Sequence, residues 1–392
     1  MLVKFTFKNV RSFIQEQCLN LVASCDDMMG ENIAPVSKEL LPQSAGVLKT
    51  AAIFGAMASG KTNVLCALDY MKRVVLISAS HVRIVRQCET NAFIEGSQDL
   101  DSHYEVEFIE NGRYYRYGFV IRRKEIVKEW LMRRSERLTT LFSRDEYSLK
   151  VAGLSKNEAR LIAPSPSTLF ISMATSLNLD INREVSDVLA WFSRLTVSLE
   201  PRREDLLIYT EKEDYLASAL RIVRKLPCGI EDAHLIQDGS YVDIETERKV
   251  RDKDGNPVKI MHSRLFQDRQ LYSDGTVELL CRLALVVKAL DQGAVLFVND
   301  FTSMMNTFLS NYILSLFSSG AHNPSCGQLV ITAGISSLMD KAFRRDQIFF
   351  TTMDGLGGSQ LVRLSSIPGV RKGDSYEKKL IENAHVEPLM LD

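Results

Sequence analysis

The 392-residue chain has almost no net charge, with 48 lysines and arginines against 49 aspartates and glutamates. Without a bulk positive field it does not recruit nucleic acid or anionic membrane through overall charge, so any nucleic-acid contact has to come from a local patch. Its seven cysteines, Cys18, Cys25, Cys66, Cys88, Cys228, Cys281 and Cys326, are odd in number, scattered and never spaced C-x-x-C. That pattern argues against a disulfide framework or a zinc site and points to a reducing cytoplasm. No run reaches the roughly 18 uninterrupted apolar residues of a membrane span. Met1-Leu2-Val3-Lys4-Phe5 alternates like a strand where a signal peptide would have an apolar core. The six histidines show no ligand spacing. Internal repeats and low-complexity tracts are absent, and no apolar heptad pattern outlasts about three turns, which excludes a long coiled-coil arm. What the chain does have is 45% hydrophobic side chains, enough to bury large cores in one big α/β domain with insertions or in two to three lobes.

One segment carries specific chemistry. Residues 55–62 read Gly-Ala-Met-Ala-Ser-Gly-Lys-Thr, the phosphate-loop pattern G-x-x-x-x-G-K-[ST], directly after the apolar run Ala51-Ala52-Ile53-Phe54. A strand delivers such a loop and its backbone N–H groups curl around phosphate oxygens. Lys61 reaches the terminal phosphates and Thr62 places a hydroxyl on a magnesium ion. The helix expected from about Gly60 to Lys72 adds the positive end of its dipole. Nucleotide binding by Gly55, Ser59, Gly60, Lys61, Thr62 and Asn63 is the first expectation.

Local patterns organise the rest. Residues 2–10 alternate and lead to a second short run, Gln17 to Val22, which reads as a hairpin at a sheet edge. Glu105–Glu110 and Arg113–Ile121 flank Asn111-Gly112, a favoured pair for a two-residue hairpin turn, and Glu125–Arg133 extends it to a meander. From about 150 to 230 the texture is helical, with amphipathic runs Asn182–Leu195 and Arg203–Lys225, the second ended by Pro227. Strands return at Tyr241–Glu245 and Val258–Met261 around an Asp254-Gly255 turn. The last third alternates helix (275–291), strand (Ala294–Val298), helix (303–319), strand (Gln328–Thr332), helix (336–343) and strand (Gln347–Thr352), the rhythm of a parallel sheet with crossover helices. Strands before and after the middle segment are expected to share one sheet.

The last third also supplies partners for a phosphate loop. Leu271-Tyr272-Ser273-Asp274-Gly275-Thr276 precedes a helix of good formers, and exposed N–H groups, a hydroxyl and a dipole there suit an anion. Val295-Leu296-Phe297-Val298-Asn299-Asp300 is an apolar strand ending in polar side chains, where such sheets hold magnesium and the attacking water. Taken singly, Ser-Asp-Gly before a helix is more often an ordinary cap. Order and spacing make the combination specific.

On these residues the chain resembles the ABC-type ATPase heads of the SMC, RecF and OLD group, and more narrowly the prokaryotic AAA-labelled ATPases of anti-phage systems, relatives of RloA and of the PARIS ATPase. The resemblance spans nearly the whole chain, through KFTFKNVRSF, GAMASGKTN, RYYRYGFVI, KEWLMRR, GIEDAHLI, LYSDGT and LMDKAFRRDQIFF. It implies an α/β ABC-type head with a mixed or parallel sheet, an N-terminal antiparallel β-meander and a mostly helical insertion. The lobes would be 1–149, with the phosphate loop and the antiparallel subdomain, and 266–392, with the signature and a Walker B-like strand, separated by the insertion 150–265. ATP and magnesium are the implied ligands. Arg11 and Ser12 would lie beside the nucleotide. Ser273 and Gly275 would contact the γ-phosphate of ATP held by a second protomer, so a homodimer or higher homo-oligomer is implied.

Two positions depart from that family pattern. Asn299-Asp300 stands where the family ends its strand in Asp-Glu, and Thr332-Ala333-Gly334 stands where it has a switch histidine. Asn299 removes one negative charge from around the cation. Asp300 is one methylene shorter than glutamate, and a base displaced by about 1 Å loses on the order of a hundredfold in rate. ATP binding with weak or absent hydrolysis is the expectation, in a cytoplasmic defence subunit that scaffolds or restrains a separate effector, a nuclease or toxin. The alternative is a RecF-like or SMC-like repair ATPase that clamps DNA with ATP, which keeps nucleic acid open as a partner and membrane excluded. Other features read blandly. Asp99-Leu100-Asp101 sits in a polar loop, Arg202-Arg203 and Arg344-Arg345 read as salt-bridged or solvated pairs, and a half-buried strand explains Arg113–Tyr117 with less than base stacking does.

Overall fold

The computed structural model describes the whole chain except residues 25–28, 43, 136, 227, 240, 304–306, 335–341, 370–374 and 376–392. In chain order come β1 (Leu2–Lys8), β2 (Gln17–Asn20), the two-residue pair β3 (Ile33–Ala34) and β4 (Val47–Leu48), β5 (Thr50–Gly55) and α1 (Lys61–Ile77). The meander follows as β6 (Ser102–Glu110), β7 (Arg113–Arg122), β8 (Glu125–Arg134), β9 (Leu138–Arg144) and β10 (Leu149–Val151). The middle segment holds α2 (Lys156–Leu161), α3 (Phe170–Ala174), α4 (Asn182–Arg194), β11 (Thr196–Ser198), α5 (Glu213–Val223), β12 (Asp232–Asp238), β13 (Tyr241–Arg251) and β14 (Pro257–Arg264). The chain then runs α6 (Asp274–Gln292), β15 (Val295–Val298), α7 (Thr307–Ser318), β16 (Gln328–Ala333), β17 (Ile348–Met353) and β18 (Ser359–Arg363).

The first large sheet is antiparallel, in the order β10-β9-β8-β7-β6-β1-β2. The β6–β7 turn is Asn111-Gly112 with φ of 48° and 70°, the left-handed pair that a twisted two-residue hairpin needs. Its inner face is aromatic: Phe5, Phe7, Tyr104, Phe108, Tyr115, Tyr117 and Phe119 are fully buried, and Phe108 stacks on Trp191 of α4 at 4.4 Å. Tyr115 and Tyr117 donate to Asp187 (2.6 Å) and Glu129 (3.1 Å), so the aromatic–basic strand serves the core and offers no rings to bases.

Glu129 pins α3 to this sheet. Wholly buried, it accepts from the backbone N–H groups of Phe170 (2.6 Å) and Ile171 (3.0 Å), with Arg144 3.9 Å away. Burial pushes its carboxyl up from 4.5 to about 7 against those bonds. The folded state therefore binds the extra proton between these values, and this group's stabilisation is complete below pH 4.5 and lost as pH rises through about 7. In urea titrations, the stability of the wild type relative to Glu129→Gln is expected to fall across that window, by at most about 3 kcal/mol. A difference that does not move with pH contradicts this assignment.

The second large sheet has the order β11-β15-β16-β5-β17-β18, parallel except for β18. Its central strands β5, β15 and β16 are buried on both faces, which is why they read as continuous apolar runs. Ile53, Phe297, Val330 and Phe349 face the core shared with α1, α3, α4 and the meander. Phe54, Leu296, Ile331 and Phe350 face α5, α6 and α7. β5 lies between β16 and β17, so the two ends of the chain share one sheet, as the strand rhythm predicts.

Some elements differ from the sequence expectation. The run 203–225 is a 3₁₀ segment, Arg203–Thr210, followed by α5, with Lys212 extended between them. Pro227, expected to end that run, lies outside the described residues, as does most of the helix expected at 336–343. The helix expected over 303–319 is described from Thr307, and 304–306 lie outside the described residues. β9, β10, β11, β12 and β18 carry no sequence signal of their own. β11 has three residues, too few for alternation, and takes its place by pairing with β15.

Candidate functional site

Parallel strands deliver their carboxyl ends to one edge of the sheet, and ligands bind there in open α/β folds. The ends of β5, β15 and β16 carry the phosphate loop, Asn299-Asp300 and Thr332-Ala333-Gly334 respectively. The loop is tightly held from below. Ser59 Oγ and Thr351 Oγ1 are 2.6 Å apart, and Ser359 Oγ lies 2.8 Å from Ser12 Oγ and donates to the Ser59 carbonyl at 3.0 Å. Gly60 starts α1 with φ of 103°, and a Cβ on it would stand 2.5 Å from Ser359 Oγ. Only glycine suits that conformation and that approach. Ala58 is also left-handed (φ 63°), so the loop backbone curls into a concave cradle of the kind that holds phosphate.

Lys61 Nζ donates to the loop's own carbonyls at Gly55 (2.9 Å) and Ala56 (2.7 Å). Burial lowers its pKa, and the Asp300 carboxylate works against that. Thr62, Asn299, Thr332 and Asp300 form one network. The Thr62 and Thr332 hydroxyls both donate to Asn299 Oδ1, at 3.1 and 2.8 Å, and Asn299 Nδ2 donates to Asp300 Oδ2 at 3.3 Å. The Asp300 N–H donates to Thr332 Oγ1 at 2.8 Å, and Asp300 itself is left-handed with φ of 45°. Thr62 Oγ1 and Asn299 Oδ1 thus lie 3.1 Å apart, with the Asp300 carboxylate alongside, oxygen donors of the kind a hydrated magnesium ion takes. Gly334 follows, and among the described residues no atom lies within 4 Å of where its Cβ would stand.

Arg282, buried in α6, donates to the carbonyls of Asn299 (3.2 Å) and Asp300 (3.4 Å) and pairs with Glu278. Burial lowers its pKa, and Glu278 and then Asp300 oppose the shift. The sequence signal for it was present and unused: a lone cation inside the apolar run Leu279–Val287.

On the other side of the loop, Arg11 (φ 51°) pairs with Glu89 at 2.6 Å and donates to Asn63 Oδ1 at 3.2 Å, while Asn63 Nδ2 donates to Ser12 Oγ at 2.8 Å. These residues open onto a cavity of about 1060 Å³ whose far wall is the 88–98 segment. Phe93, 61% exposed, and Asn91, whose Nδ2 is buried without a partner among the described residues, belong to that wall. Neither had a motif to announce it.

Gly55, Ser59, Gly60, Lys61, Thr62, Asn63, Arg11, Ser12, Asn299 and Asp300 therefore meet at one edge of the sheet. Ser273 and Gly275 do not join them within the chain. Ser273 caps α6, its exposed hydroxyl accepting from the Thr276 N–H at 3.2 Å, so the ordinary cap is realised. Nine residues separate it from Arg282 along α6, about 13 Å at 1.5 Å per residue. Among the described residues, no hydrogen bond links Ser273 or Gly275 to the phosphate loop.

A family model described as "AAA domain, putative AbiEii toxin, Type IV TA system" matches residues 51–333, well over half of the chain. The matched span opens on the strand of the phosphate loop and closes on the strand that carries Thr332. No curated protein matches the chain.

Proposed function

Because the chain belongs to the AAA-domain family of the putative AbiEii toxin, Type IV toxin–antitoxin kind, we propose that it is the ATP-binding subunit of a bacterial anti-phage system, dimerising around ATP and magnesium to scaffold or restrain a separate nuclease or toxin. The family establishes a P-loop ATPase of the toxin–antitoxin type. The dimer, the effector and slow hydrolysis are proposed here. The observation that carries the proposal is the Thr62–Asn299–Thr332–Asp300 network beside Lys61, which gathers hydroxyl, amide and carboxylate groups suited to a magnesium-bound triphosphate. The hydrolytic half is thin: one carboxylate on a short side chain and no side chain at Gly334. When bound, magnesium would supply charge neutralisation at the phosphates. The chain's own part is to hold Lys61 and Thr62 in place and to keep Asp300 in its left-handed turn.

The exposed Ser273 cap, far along α6 from the phosphate loop, supports a role in trans. A helix N-terminus with a free face meets an anion on a second copy readily. The expected result is that ATP with magnesium doubles the mass measured by light scattering for the wild type. Ser273→Arg is expected to abolish that doubling while changing the affinity of single heads for a fluorescent ATP analogue by less than about threefold, because the guanidinium lies outside the chain's own site. A Ser273→Arg protein that still doubles its mass with ATP rules out the proposed seam.

A further inference from the structure

The β7–β8 turn, the β9–β10 turn and α2 enclose a groove of about 800 Å³ on the meander, apart from the phosphate loop. Six cationic side chains line it against three acidic ones, Glu125, Asp145 and Glu146. Half of the cations are already committed: Arg122 to Asp101 and Glu146, Arg123 to Asp99, and Arg144 to the carbonyls of Thr168 and Ser165. Asp145 accepts from the N–H groups of Tyr147 (2.9 Å) and Ser148 (2.7 Å), which fixes the β9–β10 turn, and its charge also acts on Lys150. Lys150, Lys156 and Arg160 remain, all exposed and in no ion pair among the described residues. Lys156 and Arg160 stand one helical turn apart on the same side of α2. At the tip of the fixed turn, the Tyr147 ring is 93% exposed. The exposed Tyr147 side chain and the three cations thus line one groove.

We propose that this groove binds single-stranded nucleic acid, with Lys150, Lys156 and Arg160 on its phosphates and one base stacked on Tyr147. Cations outside ion pairs that line one groove select a polyanion, and the near-zero net charge of the chain makes this local patch the source of attraction. The exposed aromatic face decides between polyanions. A base stacks on it and an acidic peptide does not, whereas a duplex keeps its bases stacked inside. The Asp145 bonds hold the backbone of the turn that carries Tyr147, so less of the chain has to be ordered on binding.

Fluorescence anisotropy of labelled oligothymidylate and oligouridylate on the full chain tests this at two or more salt concentrations. Lys156→Glu with Arg160→Glu is expected to weaken binding at least about tenfold and to flatten the log–log salt slope by about 1.4, near 0.7 per lost phosphate contact on a single strand. Tyr147→Ala is expected to weaken binding about tenfold with the salt slope unchanged. None of these residues lines the cavity beside the phosphate loop, so the affinity for a fluorescent ATP analogue should stay as in the wild type, which also reports that the variants fold. Equal binding by wild type and double variant overturns the proposal, as does a wild type that binds neither oligonucleotide. A duplex that binds as tightly as the single strand overturns it as well. Displacement of the oligonucleotide by polyglutamate, with Tyr147→Ala without effect, assigns the groove to an acidic protein partner instead.

Discussion

Replacing Lys61 with alanine is expected to lower the affinity for a fluorescent ATP analogue by at least about a hundredfold, with no ATP-driven change in mass. The ammonium group sits at the mouth of the loop, partly desolvated and bonded to the carbonyls of Gly55 and Ala56. Triphosphate oxygens are stronger acceptors than those carbonyls, and two charge-assisted bonds of about 1.5–3 kcal/mol each account for a loss of that size. The fold should survive, because the Ala56 carbonyl that Lys61 leaves is on the exposed loop and finds water, while the buried Gly55 stays held in β5. Near-native affinity in a folded Lys61→Ala protein excludes the phosphate loop as the triphosphate site.

Asn299→Asp is expected to raise magnesium-dependent ATP turnover by about tenfold to a hundredfold, the scale on which groups around a metal change affinity or activity. In the wild type, Asn299 Oδ1 collects the Thr62 and Thr332 hydroxyls, and Nδ2 satisfies Asp300 Oδ2 at 3.3 Å. The aspartate keeps the acceptor but puts a second negative oxygen against Asp300. Without a cation, that like-charge contact destabilises the end of β15. With magnesium bound, it adds the missing charge. The variant should therefore melt below the wild type in chelator and recover on adding magnesium, with phosphate release rising in parallel. Wild-type turnover already at the level of ordinary ATPases, lost in Asp300→Ala and unchanged in Asn299→Asp, contradicts slow hydrolysis by a charge-depleted site.

The sequence made legible what rests on local chemistry or on long buried strands. The phosphate loop announced its strand and helix, Asn111-Gly112 its hairpin, and the apolar runs 294–298 and 328–332 the parallel sheet. Asn299 and Asp300 followed from their place at a strand end. What stayed hidden depends on pairing or on distant neighbours. β11 and β18 exist because β15 and β17 give them partners. Ser359 and Thr351 buttress the phosphate loop from some 300 residues away, and nothing in a serine's own surroundings announces that. Thr332 stands in a segment that lacks the family's switch histidine, yet its hydroxyl is the hinge between Asn299 and the Asp300 backbone. The groove at Tyr147 was invisible for a different reason: its cations come from a strand and a helix, and only folding brings them together.

Mixing the two complementary variants probes the shared seam most directly. Lys61→Ala carries an intact Ser273, and Ser273→Arg carries an intact Lys61, so a mixed pair rebuilds one complete nucleotide site while each variant alone with itself builds none. Light scattering with ATP and magnesium should find no dimer in either variant alone and a dimer holding one nucleotide in the equimolar mixture. A mixture that stays monomeric, while the wild type dimerises under the same conditions, means that Lys61 and Ser273 do not grip the same triphosphate from two subunits.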